Sequence, residues 1–384
     1  MGCQVCRQTE PEANFLLPDR DIKNLDIQTQ NSSEKKEVSN NFINTFENVL
    51  PTFGNYFGSD FNTLISPKIQ EYMTEHPQSL PEGLIDNTHI YEMKAVEFTN
   101  GNVYKGGWNS DIKMEGQGKY YLKDVNVLAE GVWKEGNLIY GRVFISKEND
   151  LFDIYEGKIR FSTFNGKGKL ILSNGMIYEG DFEDGEKNGN CKIIFEDGTI
   201  YEGQVEKGVL KGDGKMNWKN GYEYEGSFQN NKLNGRGVLK GPTGDIYEGE
   251  FLNNLFNGNG KYTYSNGNSY EGQFLYGAKK GKGIYKCNNV YEYDGDWDND
   301  LPCGIGKLSD WEKNWIIKCS WRYGKIVEEP IYEKGDSDNL KNIDLNIIPE
   351  KMNLNIRDLT NIENTETQST QYKLVTMASF LDDY

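Results

Sequence analysis

Apolar and polar residues alternate along most of this chain, and the alternation returns at a fixed interval. In Tyr178-Glu179-Gly180-Asp181-Phe182 successive side chains point to opposite faces of a strand. Tyr178, Gly180 and Phe182 therefore share one face, and Glu179 and Asp181 the other. The string recurs every 23 residues, as Tyr-Glu-Gly at Tyr155, Tyr178, Tyr201, Tyr224, Tyr247 and Tyr270 and as Tyr-Asp-Gly at Tyr293. A period of this length, held over seven copies, predicts an array of small units, each stacked on its neighbours.

Aligned on the tyrosine, every unit has a glycine at plus two: Gly157, Gly180, Gly203, Gly226, Gly249, Gly272 and Gly295. A large apolar residue follows at plus four: Ile159, Phe182, Val205, Phe228, Phe251, Phe274 and Trp297. Glycine returns at plus eleven throughout, as in Gly235, and at plus thirteen except where Cys191 stands. At plus nineteen and twenty comes a turn pair such as Asn174-Gly175 or Asp197-Gly198, broken once at Asn289-Val290. Asn-Gly between alternating runs signals a hairpin, because a type I′ turn needs positive φ at both central residues. Each unit thus predicts two strands, for example Ile177 to Phe182 and Cys191 to Phe195, joined by the loop Glu183 to Asn190. A glycine inside a strand marks a close approach to the backbone. The expected visitor is a Tyr or Phe ring, which gives a ring-over-glycine core that includes Gly235.

Helical spacing appears ahead of the repeats. Phe42, Ile43, Phe46, Val49 and Leu50, stopped by Pro51, form one stripe. Ile69, Tyr72 and Met73 form another, after Ser66 as N-cap and Pro67 at the first helical position. They predict a small helical cap over the exposed edge of the first repeat.

The unit, Tyr-x-Gly-x-aromatic followed by Gly-x-Gly, resembles the MORN (membrane occupation and recognition nexus) repeat. Tyr247-Glu248-Gly249-Glu250-Phe251 with Gly258-Asn259-Gly260 carries it fully. Tyr104-Lys105-Gly106-Gly107-Trp108 with Gly116-Gln117-Gly118 is a further copy, and Ala129 to Trp133 a degenerate one. Ile317 to Trp321 keeps only the spacing, with Cys319 in the glycine position. The resemblance covers residues 91–328, about nine to ten units, and implies an all-β, elongated single-layer antiparallel sheet of stacked hairpins. Around it the sequence divides into a flexible tether at 1–40, the helical cap region at 41–90 and an acidic, largely disordered tail at 329–384.

Charge and composition narrow the function. A net charge of -17 removes the basic footprint that non-specific nucleic-acid binding needs. No run of 18 apolar residues occurs, so no transmembrane helix is expected. Met1-Gly2-Cys3-Gln4-Val5-Cys6 offers Gly2 for N-myristoylation and Cys3 and Cys6 for S-palmitoylation, although Cys6 stands where the acylation consensus prefers Ser or Thr. Two acyl chains are needed for stable attachment, because one gives only marginal membrane binding.

Catalytic residues, metal ligands and cofactors are not expected. His76 and His89 are the only histidines, and neither has a Cys or His neighbour at ligand spacing. The recurring Gly-x-Gly, as in Gly235-Arg236-Gly237, is structural because it returns with every unit. The carboxylates Glu179, Glu202, Glu225, Glu248, Glu271 and Asp294 form a row expected to solvate the outer face or to bond neighbouring strands. Cys191, Cys287, Cys303 and Cys319 read as small fillers. Lys279, Lys280, Lys282 and Lys286 are the first suspects for any basic patch.

What remains is binding. The sequence reads as a non-enzymatic scaffold or adaptor, held by acyl chains at the cytoplasmic face of a membrane and docking protein partners on its elongated surface. A structural component of a ciliary, axonemal or cytoskeletal assembly is the alternative, and a regulatory subunit of an enzyme a distant third. The resemblance also implies that an extended homodimer is an option.

Overall fold

A computed structural model describes residues 60–334, apart from 82, 85–89, 93, 289, 312–313 and 329–330. Gly2, Cys3 and Cys6, the apolar stripe at 42–50, His89 and the tail from 335 lie outside the described residues.

The described chain opens with a 3-10 turn (Phe61–Leu64) and helix α1 (Pro67–Glu75), with Ser66 as N-cap and Pro67 in the first turn as expected. Strands β1 (Tyr91–Glu92), β2 (Val96–Glu97), β3 (Val103–Trp108), β4 (Met114–Leu122), β5 (Val127–Lys134) and β6 (Asn137–Ser146) follow. Next come β7 (Phe152–Arg160), β8 (Thr163–Ile171), β9 (Ile177–Glu183), β10 (Glu186–Ile194), β11 (Ile200–Glu206) and β12 (Val209–Asn217). The later units supply β13 (Glu223–Gln229), β14 (Lys232–Lys240), β15 (Ile246–Leu252), β16 (Leu255–Thr263), β17 (Ser269–Leu275) and β18 (Ala278–Cys287). The array closes with β19 (Tyr291–Asp298), β20 (Leu301–Asp310), β21 (Trp315–Arg322), β22 (Lys325–Ile326) and β23 (Ile331–Lys334).

These strands make one open antiparallel sheet, in which β3 to β21 pair strictly with their chain neighbours. β1 and β2 lie along the outer side of β3, and β22 and β23 along β21. The sheet therefore runs on past residue 328. Ile331–Lys334 satisfies backbone groups that β21 would otherwise leave as a bare edge.

Ring over glycine is the core. A Cβ on Gly226 would meet the Tyr224 hydroxyl at 2.5 Å, and one on Gly237 would meet the same ring at 2.5 Å. Tyr247 covers Gly249 and Gly260 in the same way, and Tyr104 covers Gly106 and Gly118. In the unit of Tyr178, Gly180 instead faces Cys191, and a Cβ on Gly180 would lie 2.6 Å from the Cys191 Cβ. The register slips between the plus-two and plus-four positions, as between Gly226 and Phe228, so the plus-three carbonyl leaves the ladder. The tyrosine hydroxyl satisfies it: Tyr224 donates to the Ser227 carbonyl at 3.0 Å and Tyr178 to that of Asp181 at 2.7 Å. Tyr104, Tyr155, Tyr201, Tyr247, Tyr270 and Tyr293 repeat this bond.

The plus-four residues bracket these rings edge to face. Tyr224 meets Phe228 at 5.2 Å and Phe251 at 5.1 Å; Tyr270 meets Phe274 and Trp297, both at 5.1 Å. Trp108, Tyr155, Gly157, Tyr201, Gly203, Phe182, Gly272, Tyr293 and Gly295 hold the corresponding places in their own units.

At two places the structure differs from what the sequence pattern predicts. Gly235 is not under a ring; its nearest neighbour would be the Ser227 Cβ at 3.3 Å, and it is glycine because φ is +84° on the side of the ladder that holds the extra residues. The two turns of each unit are also exchanged. Positive φ at both central residues occurs at Asp184-Gly185, a two-residue turn between β9 and β10, so the second strand begins five residues before Cys191. At Asn174-Gly175 only the glycine is left-handed. There Leu172 N–H bonds the Met176 carbonyl and Gly175 N–H the Leu172 carbonyl, a type I turn closed by a glycine bulge.

Helix α1 covers a face, not the edge. On the side opposite the tyrosines, Val103, Tyr121, Leu128, Phe144 and Ile154 are direct cross-strand partners in succession. Ile69, Tyr72 and Met73 pack on this row, with Tyr72 6.0 Å from the Phe144 ring and 5.9 Å from Phe152. The signal was present in β5, where Val127-Leu128-Ala129 is an unbroken apolar run, the pattern of a strand buried on both faces.

Candidate partner-binding groove

Beyond the helix the face opposite the tyrosines is open. From β11 to β18 it forms a groove of ≈1270 Å³ whose floor is bare backbone at Gly214, Gly226, Gly237, Gly249, Gly260 and Gly272. The missing Cβ atoms of these glycines point at the rings, so on this face the floor is the backbone itself, lying between the rows of side chains that flank it. Side chains at plus one and plus fourteen stand along one wall, those at plus twelve along the second.

The first wall is the predicted carboxylate row, interleaved with a second row by direct register. Lys215 lies between Glu202 and Glu225, Val238 between Glu225 and Glu248, Lys261 between Glu248 and Glu271, and Ile284 between Glu271 and Asp294. Acid, base, acid and apolar residue therefore succeed one another, repeating every two units. Across the trough stand Asp213, Arg236 and Asn259. The lining holds five carboxylates against three cations, so it keeps an acidic surplus in an acidic chain. Val238 and Ile284 are half-buried apolar steps in that wall. Further along the same row Lys192 bonds Glu202 at 2.7 Å, and this bond holds the Glu202 carboxyl below its ordinary range.

The suspected basic patch does not form. Lys280 pairs with Asp298 at 3.0 Å, Lys282 with Asp296 at 2.8 Å and Lys286 with Glu292 at 3.3 Å. Lys279 is buried on the tyrosine face among Tyr264, Tyr270, Tyr285 and Trp297, its Nζ 5.0 to 5.6 Å from the four ring centres. Burial pulls its ammonium down to about 8, against the pull of Asp300. Lys187, at the same plus-nine position, is buried near the Tyr178 ring and lowered to about 8 for the same reason. The sequence held the signal: lysine where other units place Phe164, Leu210, Leu233 or Phe256.

At the helix end of this face, buried Arg142 bonds Glu130 through Nε at 2.8 Å and through Nη2, while Nη1 donates to the His76 carbonyl just past α1. Lys119 completes the set on the other Glu130 oxygen at 3.2 Å. His76 stacks on Tyr72 at 4.3 Å. Cys191 and Cys319 are buried, Cys287 and Cys303 partly so, and all four are free thiols. Among the described residues no group of side chains has the makeup of a metal site, and no helix is long and apolar enough to cross a membrane.

The MORN repeat family model matches eight stretches: 104–124, 155–177, 178–200, 201–221, 224–246, 247–269, 270–289 and 293–310. It passes over the degenerate unit at Ala129 and the last one at Ile317, which the sheet nevertheless includes. No curated protein matches the chain. Among solved structures the chain is similar to the TCP domain of Drosophila melanogaster SAS-4 in complex with a proline-rich motif of Ana2, at 15% identity and a TM-score of 0.25 over 44% of this chain and 95% of that one. The TCP10c domain of Drosophila melanogaster Sas-4 gives 12% identity and a TM-score of 0.22 over 44% and 93%. Streptogramin B lyase gives 12% and 0.13 over 66% and 86%. Likeness this low carries no argument about function.

Proposed function

We propose that this MORN-repeat chain is a non-enzymatic adaptor, tethered to a membrane through acyl chains at Gly2, Cys3 and Cys6, that holds a protein partner in the groove of β11 to β18. The groove carries the reading. It is long, open and floored by backbone, and its wall alternates acidic, basic and apolar side chains in a two-unit rhythm. A cationic segment with apolar side chains about 19 Å apart, four strand spacings, complements it. MORN repeats point to protein or membrane-lipid binding, and the carboxylate surplus favours protein over anionic lipid.

Two measurements test the proposal. A photo-crosslinker placed at Val238 or Ile284 is expected to capture the same partner, and Glu225→Lys with Glu248→Lys to abolish capture while leaving the melting temperature within a few degrees. Partner binding that survives this charge reversal would reject the groove. For the tether, Gly2→Ala and the pair Cys3→Ser with Cys6→Ser are each expected to release the protein from the membrane pellet. Retention of the double cysteine variant would mean that something other than palmitate holds it.

A further inference from the structure

We infer that residues 42–50 of this same chain dock on the face of β9 to β11 opposite the tyrosines, extending the layer that α1 begins. The register row beneath α1 does not stop at the helix. From Ile154 it continues through Ile171, Ile177, Ile194 and Ile200, each the direct cross-strand partner of the one before. Ile171 packs against the α1 layer. Ile177, Ile194 and Ile200 are only half-buried and belong to neither buried cluster of the described residues. In the next strands the row turns polar, to Asn217, Glu223 and Lys240. An apolar row that ends one helix length beyond an existing helix is a patch awaiting cover.

The dimensions select the occupant. From Ile177 on β9 to Ile200 on β11 the uncovered row runs two strand spacings, about 10 Å, or three, about 14 Å, with the step from β8 included. A helix over residues 41–50 spans about 15 Å, and Phe42, Ile43, Phe46, Val49 and Leu50 fall on one side of it. The nine residues 51–59 reach about 30 Å when extended. They start from Asp60, whose neighbour Phe61 lies beside Gln117 of β4 and Glu130 of β5. β10 lies five spacings from β5, about 24 Å, within that reach. Charge agrees as well: Glu47 is the one ionised group in 41–50, and at the patch Lys192 and Glu202 already neutralise each other. The groove, with its carboxylate surplus, would set like charges against Glu47.

Hydrogen exchange of the full chain in dilute solution tests the docking. Amides of 41–50 are expected to exchange about tenfold or more slowly than an unfolded chain. Ile194→Asp is expected to return them to the unfolded-chain rate while β13 to β18 stay protected, and Ile200→Lys, on a different strand, to do the same. Unfolded-chain exchange of 41–50 in the wild type would overturn the proposal, as would protection that survives both variants. Protection that appears only as protein concentration rises would also overturn it, because a second copy would then be the cover.

Discussion

Two glycines of one unit are required for different reasons, and substitution separates them. Gly226→Ala puts a methyl 2.5 Å from both the Gly237 Cα and the Tyr224 hydroxyl, so ring and backbone must part. A loss of about 3 kcal/mol or more is expected from urea unfolding. Gly235→Asn brings its Cβ within 3.3 Å of the Ser227 Cβ, a close contact relieved by a shift of a few tenths of an ångström, and otherwise asks only for left-handed backbone, a cost of about 1 kcal/mol, which Gly235→Val exceeds because a branched Cβ opposes that conformation. Equal losses for Gly226→Ala and Gly235→Asn would refute the assignment. The tyrosine and its plus-two glycine were legible because alternation puts them on one face. The plus-eleven glycine was misread because a packing gap and a positive φ leave the same letter in the sequence. Lys279 gives a second residue-scale test. Its folded pKa of about 8 lies below the ordinary lysine value, so the unfolded chain binds the extra proton and stability rises with pH between 8 and about 10.5. Below pH 8 the burial penalty is fully present, on the order of 3 kcal/mol. Lys279→Met is therefore expected to melt higher than the wild type at pH 7, with the gap narrowing by pH 10. A gap independent of pH would show that the side chain never carries a buried proton.

Strand existence and order followed from the 23-residue period, but the ends of the strands did not. A hairpin pair such as Asn-Gly fits both a two-residue turn and a type I turn closed by a bulge, and only the register of the partner strand decides. Helix α1 was legible from its proline and its spacing, whereas its seat was not, because a stripe says that something is covered and not what. Arg142 is the link between the helix and the sheet. Arg142→Ala leaves Glu130 buried without its main partner, and a loss of about 3 to 5 kcal/mol is expected, together with faster exchange across α1. Glu130→Gln combined with Arg142→Met is expected to recover most of the stability but not the bond to the His76 carbonyl. If the double variant is as unstable as the single one, the helix and not the ion pair dominates that corner.

At the scale of the whole molecule the units are joined only to their neighbours, so damage is expected to stay local. Gly260→Val drives a branched side chain into the Tyr247 ring. Exchange is expected to rise in β15 to β17 and the strands after them, while β3 to β9, backed by α1 for part of their width, remain protected. Uniform acceleration across the sheet would mean that the edge-to-face rings couple the array into a single cooperative block.

The strict pairing of β3 to β21 with their chain neighbours has a further consequence, for synthesis. Each hairpin needs only the strand already made before it, so a nascent chain can lay down structure from its N-terminus without waiting for distant segments. The growing end always presents one unpaired strand as the template for the next. A ribosome that stalled between units would release a shorter but folded protein with an adhesive terminus; among the described residues Ile331–Lys334 pairs with the Ile316–Lys318 part of the last long edge.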